Sequence, residues 1–159
     1  MTARVRAAVP ADAAVWLRMR QALWPEDERG GHAAEIEQFF AGRLKMPLEV
    51  LLAVDESGDV VGFVELSIRA YAEDCETDRV AYLEGWYVEP HARRRHVGSA
   101  LVAAAETWAR SQGCTEFGSD ALIDNDISAS AHLALGFTET VQIRCFRKPL
   151  SVAPKAQDG

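Results

Sequence analysis

The chain has 159 residues, 48% of them hydrophobic and 26% charged, with a formal net charge of −7 and a pI near 5.1. Those values suit one soluble domain with a full core, and the acidity speaks against a nucleic-acid partner and for a cationic one. Cys75, Cys114 and Cys145 are odd in number and widely spaced, which speaks against a disulfide framework or a zinc site; no signal-type or membrane-spanning apolar run is present, so the cytoplasm is the expected compartment, with no membrane partner.

In chain order, Val5 to Val9 reads as a short strand. Pro10-Ala11-Asp12 then opens a helix to about Leu23, with Val15, Trp16, Met19 and Leu23 at helical spacing, and Trp24-Pro25 stops it. Glu26 to Gly31 is a loop. A second helix is expected from about Ala33 to Leu44, with Ile36, Phe39, Phe40 and Leu44 on one face and Pro47 closing it. Glu49 to Val54 and Val60 to Arg69 are strands joined across Asp55–Asp59 as a hairpin. An acidic loop follows from Tyr71 to Asp78. It is a solvated face that also attracts cations.

The stretch from Val80 to Val88 is rich in aromatic and β-branched residues and ends at Pro90, so it reads as a central strand. The basic turn His91 to His96 comes next. A helix over about Val97 to Gln112 follows, with Leu101, Ala104, Ala105 and Trp108 as its buried stripe and Gly113 as its cap. Thr115 to Ser119 is a strand that delivers Asp120 at its C-terminal end. Asn125 to about Leu135 is a helix with Asp124 and Asp126 as its expected caps, and Thr138 to Arg147 forms one or two closing strands. Residues 1–150 are expected to be one domain and 151–159 a disordered tail. Strands mixed with helices in this order imply an α+β chain with a mixed sheet flanked by helices.

A strand, a cationic turn and a helix start make a polyanion site. The first N–H groups of a helix are unpaired, its dipole adds partial positive charge, and Arg93, Arg94 and Arg95 add planar donors for phosphate. Neither a P-loop nor G-x-G-x-x-G is present. The run Arg93-Arg94-Arg95-His96-Val97-Gly98 resembles the acetyl-CoA pyrophosphate loop of the GNAT superfamily of N-acetyltransferases, and the element order over about residues 4–148 resembles the GNAT topology. Several strings are similar to one branch, the aminoglycoside 6'-N-acetyltransferases: Gln21-Ala22-Leu23-Trp24-Pro25, Tyr82-Leu83-Glu84-Gly85, Gly118-Ser119-Asp120, Asn125-Asp126-Ile127-Ser128 and His132-Leu133-Ala134-Leu135-Gly136-Phe137.

The resemblance implies an acetyl-CoA-dependent enzyme acting on a cationic aminoglycoside, with frequent dimerisation. It implies that backbone groups of Trp86, Tyr87 and Val88 pair with pantetheine, that residues 93–98 hold the pyrophosphate with Ser99 starting the helix, and that Asn125 contacts the cofactor near the thioester. Trp24, Tyr71, Glu84 and Asp120 would line the antibiotic site with Asp27 nearby. His96 stands where the family has glycine. Ordinary helical φ is expected for it, so that only its N–H matters.

An acetyl acceptor must be a neutral amine, and a carboxylate, directly or through water, can bind its ammonium and take the proton. Glu84, in an otherwise apolar strand, is the candidate base and is expected to share a face with Trp86. Its plain alternative is an exposed strand glutamate. Asp120 has the alternative of a turn cap, and Trp24 that of core. Transfer would be direct, since no cysteine is placed to demand a covalent intermediate. A backbone N–H of Tyr87 or Val88 is the expected oxyanion donor. Phe146 stands where related enzymes often carry a tyrosine acid, which leaves water or Tyr87 to protonate the thiolate. His32, His91 and His132 lack paired ligand spacing, and no metal is assigned. An enzyme for another amine, such as a polyamine, amino acid or protein N-terminus, and a non-catalytic acyl-CoA-binding module are the alternatives.

Overall fold

A computed structural model of the chain describes residues 2–26 and 30–152. Strands β1 (Arg4–Ala7), β2 (Glu49–Val54), β3 (Val60–Arg69), β4 (Val80–Val88) and β5 (Phe117–Ser119) form one sheet in the order β1-β2-β3-β4-β5. Neighbours from β1 to β4 are antiparallel, whereas β5 runs parallel to β4. A parallel pair needs a crossover, and α3 (Val97–Ser111) supplies it.

Helices cover both faces, which is why the central strands are apolar nearly throughout rather than alternating. Helices α1 (Ala13–Leu23) and α2 (Gly31–Phe40) bury Trp16, Met19 and Ile36 against Val50, Leu52, Phe63 and Tyr87. The opposite face of β2 and β3, with Leu51, Ala53, Val64 and Leu66, packs on Val97, Leu101, Val102 and Ala105 of α3. Leu101 is fully buried there, and its truncation to alanine would cost roughly 2–5 kcal/mol.

Several expected boundaries move. Helix α2 ends at Phe40, because Gly42 N–H turns back to donate to Phe39 O. The strand before Asp120 is only Phe117–Ser119, and Ala104 and Trp108 are half-buried beside the Leu101 stripe. Asn125, rather than Asp124 or Asp126, caps α4 (Asp126–Ala134), its side chain accepting from Ser128 N–H at 3.1 Å.

The closing strands over 138–147 are not formed. Residues 138–152 carry no helix or strand, and Val141, Ile143 and Phe146 point into solvent. The sequence has strand character there, but a strand needs a ladder partner, and none of the five strands pairs with it. Residues 153–159 of the expected tail lie outside the described residues.

Candidate active site

The site begins with a flaw in the β3–β4 ladder. Glu65 faces Gly85 and Leu66 faces Leu83, so Glu84 is the extra residue of a β-bulge. Leu83 and Trp86 therefore both pack toward α3, while Glu84 turns to the other face. The expectation that Glu84 and Trp86 share a face is thus overturned, because strict alternation fails at a bulge.

Glu84 is held firmly. Arg69 Nε donates to Glu84 Oε1 at 2.9 Å and Arg69 Nη2 to Oε2 at 2.7 Å, and the buried Ser67 hydroxyl donates to Oε1. The Arg69 guanidinium also lies 3.6 Å over the ring of Tyr82, whose hydroxyl donates to Asp120 Oδ2 at 2.6 Å. Burial, then the Asp120 contact, pushes the Tyr82 phenol up, so it remains a donor. Glu84 and Asp120, distant in sequence, are thereby joined through Arg69 and Tyr82.

Glu84 walls a cavity of about 230 Å³ with Trp24, Arg20, Glu35 and Glu65, and a recess of about 550 Å³ continues past Trp24 toward His32 and Leu122. Arg20, itself buried, pairs with Glu35 at 2.7 Å and with Glu65 at 2.9 Å, and its guanidinium stands 5.3 Å from the Trp24 ring. Burial raises the Glu65 carboxyl to about 7, against the opposing pull of Arg20. The cavity therefore gathers carboxylates around an aromatic wall, which suits an amine-bearing ring compound.

The second half of the site lies along β4. Strand β5 accompanies β4 only at Ala81–Leu83, so among the described residues no strand pairs with the β5 side of residues 84–88. Such an edge can accept an extended amide-bearing ligand. Below it the basic turn leads into α3. Arg93 Nε donates to Val88 O at 2.9 Å, whereas Arg94 and Arg95 are exposed and form no ion pair among the described residues. Ser99 hydroxyl donates to His96 O at 2.9 Å, and Val97 is buried. A Cβ on Gly98 would stand 3.2 Å from Trp86 Cζ2, so a bare Cα lets α3 begin against the strand. Free helix-start N–H groups, unpaired arginines and an open strand edge fit a nucleotide thioester such as acetyl-CoA.

Two expectations fail here. His96 has φ +61° and Arg94 φ +60°, both left-handed, so the loop does impose the glycine-like conformation on His96. Tyr87 turns its ring to Phe63 and its hydroxyl to Glu89 Oε2 at 3.3 Å, away from the cofactor edge, which removes it as the thiolate acid. Tyr71 is 66% exposed on the loop after β3, donates to Glu73 and lines neither cavity. Asn125 Oδ1 is committed to the α4 cap. Asp27 lies outside the described residues. Sequence reasoning missed Arg20, Glu65, Ser67, Arg69 and Tyr82. Of these, Glu65 carried the same signal as Glu84, an acid inside an apolar strand.

A sheet that parts at one strand, with a cationic helix start on one side and an acidic cavity on the other, defines an acyl-CoA-dependent N-acyltransferase. The sequence profile of the Acetyltransferase (GNAT) family matches residues 16–137, and the chain belongs to that family. It is 56% identical to the aminoglycoside N(6')-acetyltransferase type 1 of Klebsiella aerogenes, over 92% of this chain and 96% of the relative. It is 38% identical to the enzyme of the same name from Stenotrophomonas maltophilia, over 92% and 93%. Among solved structures it resembles AAC(6')-Iy in complex with the bisubstrate analog CoA-S-monomethyl-acetylneamine (TM-score 0.86, 32% identity, 94% of this chain and 100% of that one). It also resembles AAC(6')-Ih from Acinetobacter baumannii (TM-score 0.85, 35% identity, 94% and 100%).

Proposed function

We propose that the protein transfers the acetyl group of acetyl-CoA to the 6'-amino group of aminoglycosides, by direct transfer in a ternary complex. The observation that carries this is the bulge at Glu84. It turns a carboxylate into the acidic cavity at the point where β4 leaves β5 and opens its edge. Pantetheine would pair with Trp86, Tyr87 and Val88, and the N–H groups of residues 93–98, with Arg94 and Arg95, would hold the pyrophosphate. The acceptor's ammonium would lie at Glu84, its rings against Trp24, with Asp120 orienting it through the Arg69–Tyr82 bridge. Glu84, already bound by Arg69, takes the proton through a water, and a β4 N–H holds the developing oxyanion. Acetylation removes a positive charge from the drug, weakening its hold on RNA and conferring resistance.

The expected homodimer has support in two features, the exposed apolar side chains of residues 138–152 and the outer edge of β5, which no described strand pairs with. A second copy would cover both, and light scattering of the purified protein reads the mass. No helix of the described residues is long and apolar enough to cross a membrane, and use of acetyl-CoA argues for the cytoplasm.

The test is thiol release from acetyl-CoA with kanamycin A and with paromomycin, which has a hydroxyl at the 6' position. Turnover of kanamycin A alone is the expected result. Equal turnover of both moves the reaction to another amine, and faster turnover of spermidine or peptides than of kanamycin A overturns the aminoglycoside reading.

A further inference from the structure

With Phe146 in solvent and Tyr87 facing α1, water alone is left of the proton donors weighed above for the departing thiolate. We propose that Ser119 and His132 form a proton relay to that thiolate, a step that rests on the acetyl-transfer reading above. Ser119 is the last residue of β5 and pairs with Leu83, the last β4 residue before the strands part, so its hydroxyl stands at the fork. Ser119 Oγ lies 2.7 Å from His132 Nε2 and 3.3 Å from Leu83 O. His132 Nδ1 lies 2.7 Å from Ser128 O. A carbonyl oxygen only accepts, so Nδ1 carries a hydrogen in either charge state.

The pair is satisfied both with and without the extra proton. With neutral His132, the Ser119 hydroxyl donates to Nε2. With the imidazolium, Nε2–H donates to Ser119 Oγ, and the hydroxyl is free to donate to Leu83 O or to a sulfur beside it. The ring is fixed edge-on against Trp86, at 5.3 Å and 90°, and against Phe137, at 5.1 Å and 71°. Among the described residues, the groups facing it are Ser119 of β5, Ser128 of α4 and these two aromatic rings, and no charged side chain hydrogen-bonds to it or ion-pairs with it. Trp86 packs on the α3 side of the sheet and Glu84 turns to the other, so amine and leaving sulfur meet different proton carriers.

The proton count closes. The neutral amine attacks the thioester carbon, and the C–S bond breaks with its electron pair going to sulfur. The sulfur takes the Ser119 hydroxyl proton, and Ser119 takes the Nε2 proton of His132. The acceptor ammonium gives up two protons on becoming an amide. One replaces the proton that the thiol has taken through His132, and one leaves to solvent.

The experiment measures kcat and both KM values against pH for the full-length His132→Gln and Ser119→Ala proteins with acetyl-CoA and kanamycin A, alongside thermal midpoints. The expected result is a kcat loss of about 10- to 100-fold in each variant. Both KM values should stay within about twofold, and the shape of kcat against pH should differ between His132→Gln and the parent. A kcat within twofold of the parent in either variant overturns the relay. If His132→Gln does not fold, Ser119→Ala alone decides. A parent enzyme that turns over another amine but not kanamycin A overturns the aminoglycoside reading and leaves the relay to be read with that amine. A parent that turns over no amine overturns both.

Discussion

The indole of Trp24 lies across the Cα of Gly85, so close that a Cβ built there would come within 2.6 Å of Trp24 Cη2. The glycine after the bulged Glu84 thus makes the space in which an aromatic wall stands beside the carboxylate. Arg20 and His32 also neighbour that indole, the Arg20 guanidinium 5.3 Å from its centroid and the stacked His32 ring 6.2 Å away. Gly85→Ala should push Trp24 into the cavity. We expect a loss of about 1–3 kcal/mol in stability and an aminoglycoside KM raised about tenfold. The KM for acetyl-CoA should stay within about twofold, since the added methyl points at Trp24 and leaves the backbone groups of Trp86, Tyr87 and Val88 in place. Steady-state kinetics with each substrate varied separate the two.

Glu84→Gln keeps the Arg69 and Ser67 contacts to one oxygen but removes the charge that would hold an ammonium. The expected effect is a fall in kcat/KM for the amine of about 10²- to 10⁴-fold, with unchanged binding of acetyl-CoA by calorimetry. Arg69→Met should also lower kcat/KM, although it adds no charge to the cavity, because it unties Glu84 from Tyr82 and Asp120. Equal activity of Arg69→Met and parent would mean that the bridge positions nothing.

His96 holds a left-handed backbone at φ +61°, a conformation that costs a side-chain-bearing residue roughly 1–2 kcal/mol. Glycine removes that cost but gains freedom in the unfolded chain. The balance predicts that His96→Gly is more stable than the parent by about 0.5–1 kcal/mol, read as a higher urea midpoint at unchanged slope. A lower midpoint would show that the histidine ring has contacts worth more than the backbone strain.

The buried Glu65 carboxyl, raised to about 7 by burial, binds its proton more tightly in the folded than in the unfolded chain. Its contribution to stability is therefore fully present below the ordinary carboxylate range near 4.5 and is lost as pH rises through about 7. The shift corresponds to a few kcal/mol at most, about 1.4 for each unit. Thermal midpoints of the parent should fall across that window relative to Glu65→Gln, whose side chain does not titrate. Parallel curves for the two proteins would remove Glu65 as the titrating group.

The sequence by itself determined the elements and the chemistry that local residues carry. Periodicity marked Trp16 and Met19 as the inner face of a helix. The apolar run around Glu84 marked β4, and the three arginines before Val97 marked a cationic helix start. These are properties of neighbours a few residues apart, and spacing along the chain records them. The tertiary structure decided what spacing cannot record. A bulge is a mismatch between two strands, so the face on which Glu84 lies depends on Glu65 and Leu66 in β3. The left-handed φ of His96 is imposed by closing the turn between β4 and α3. Whether the β-rich stretch from Thr138 becomes a strand depends on pairing with another strand, and none of the described strands pairs with it. Arg69 and Tyr82 join Glu84 to Asp120, and Ser119 meets His132, only because β5 returns beside β4 after the α3 crossover; long-range pairing of that kind is energetic, set by packing across the sheet.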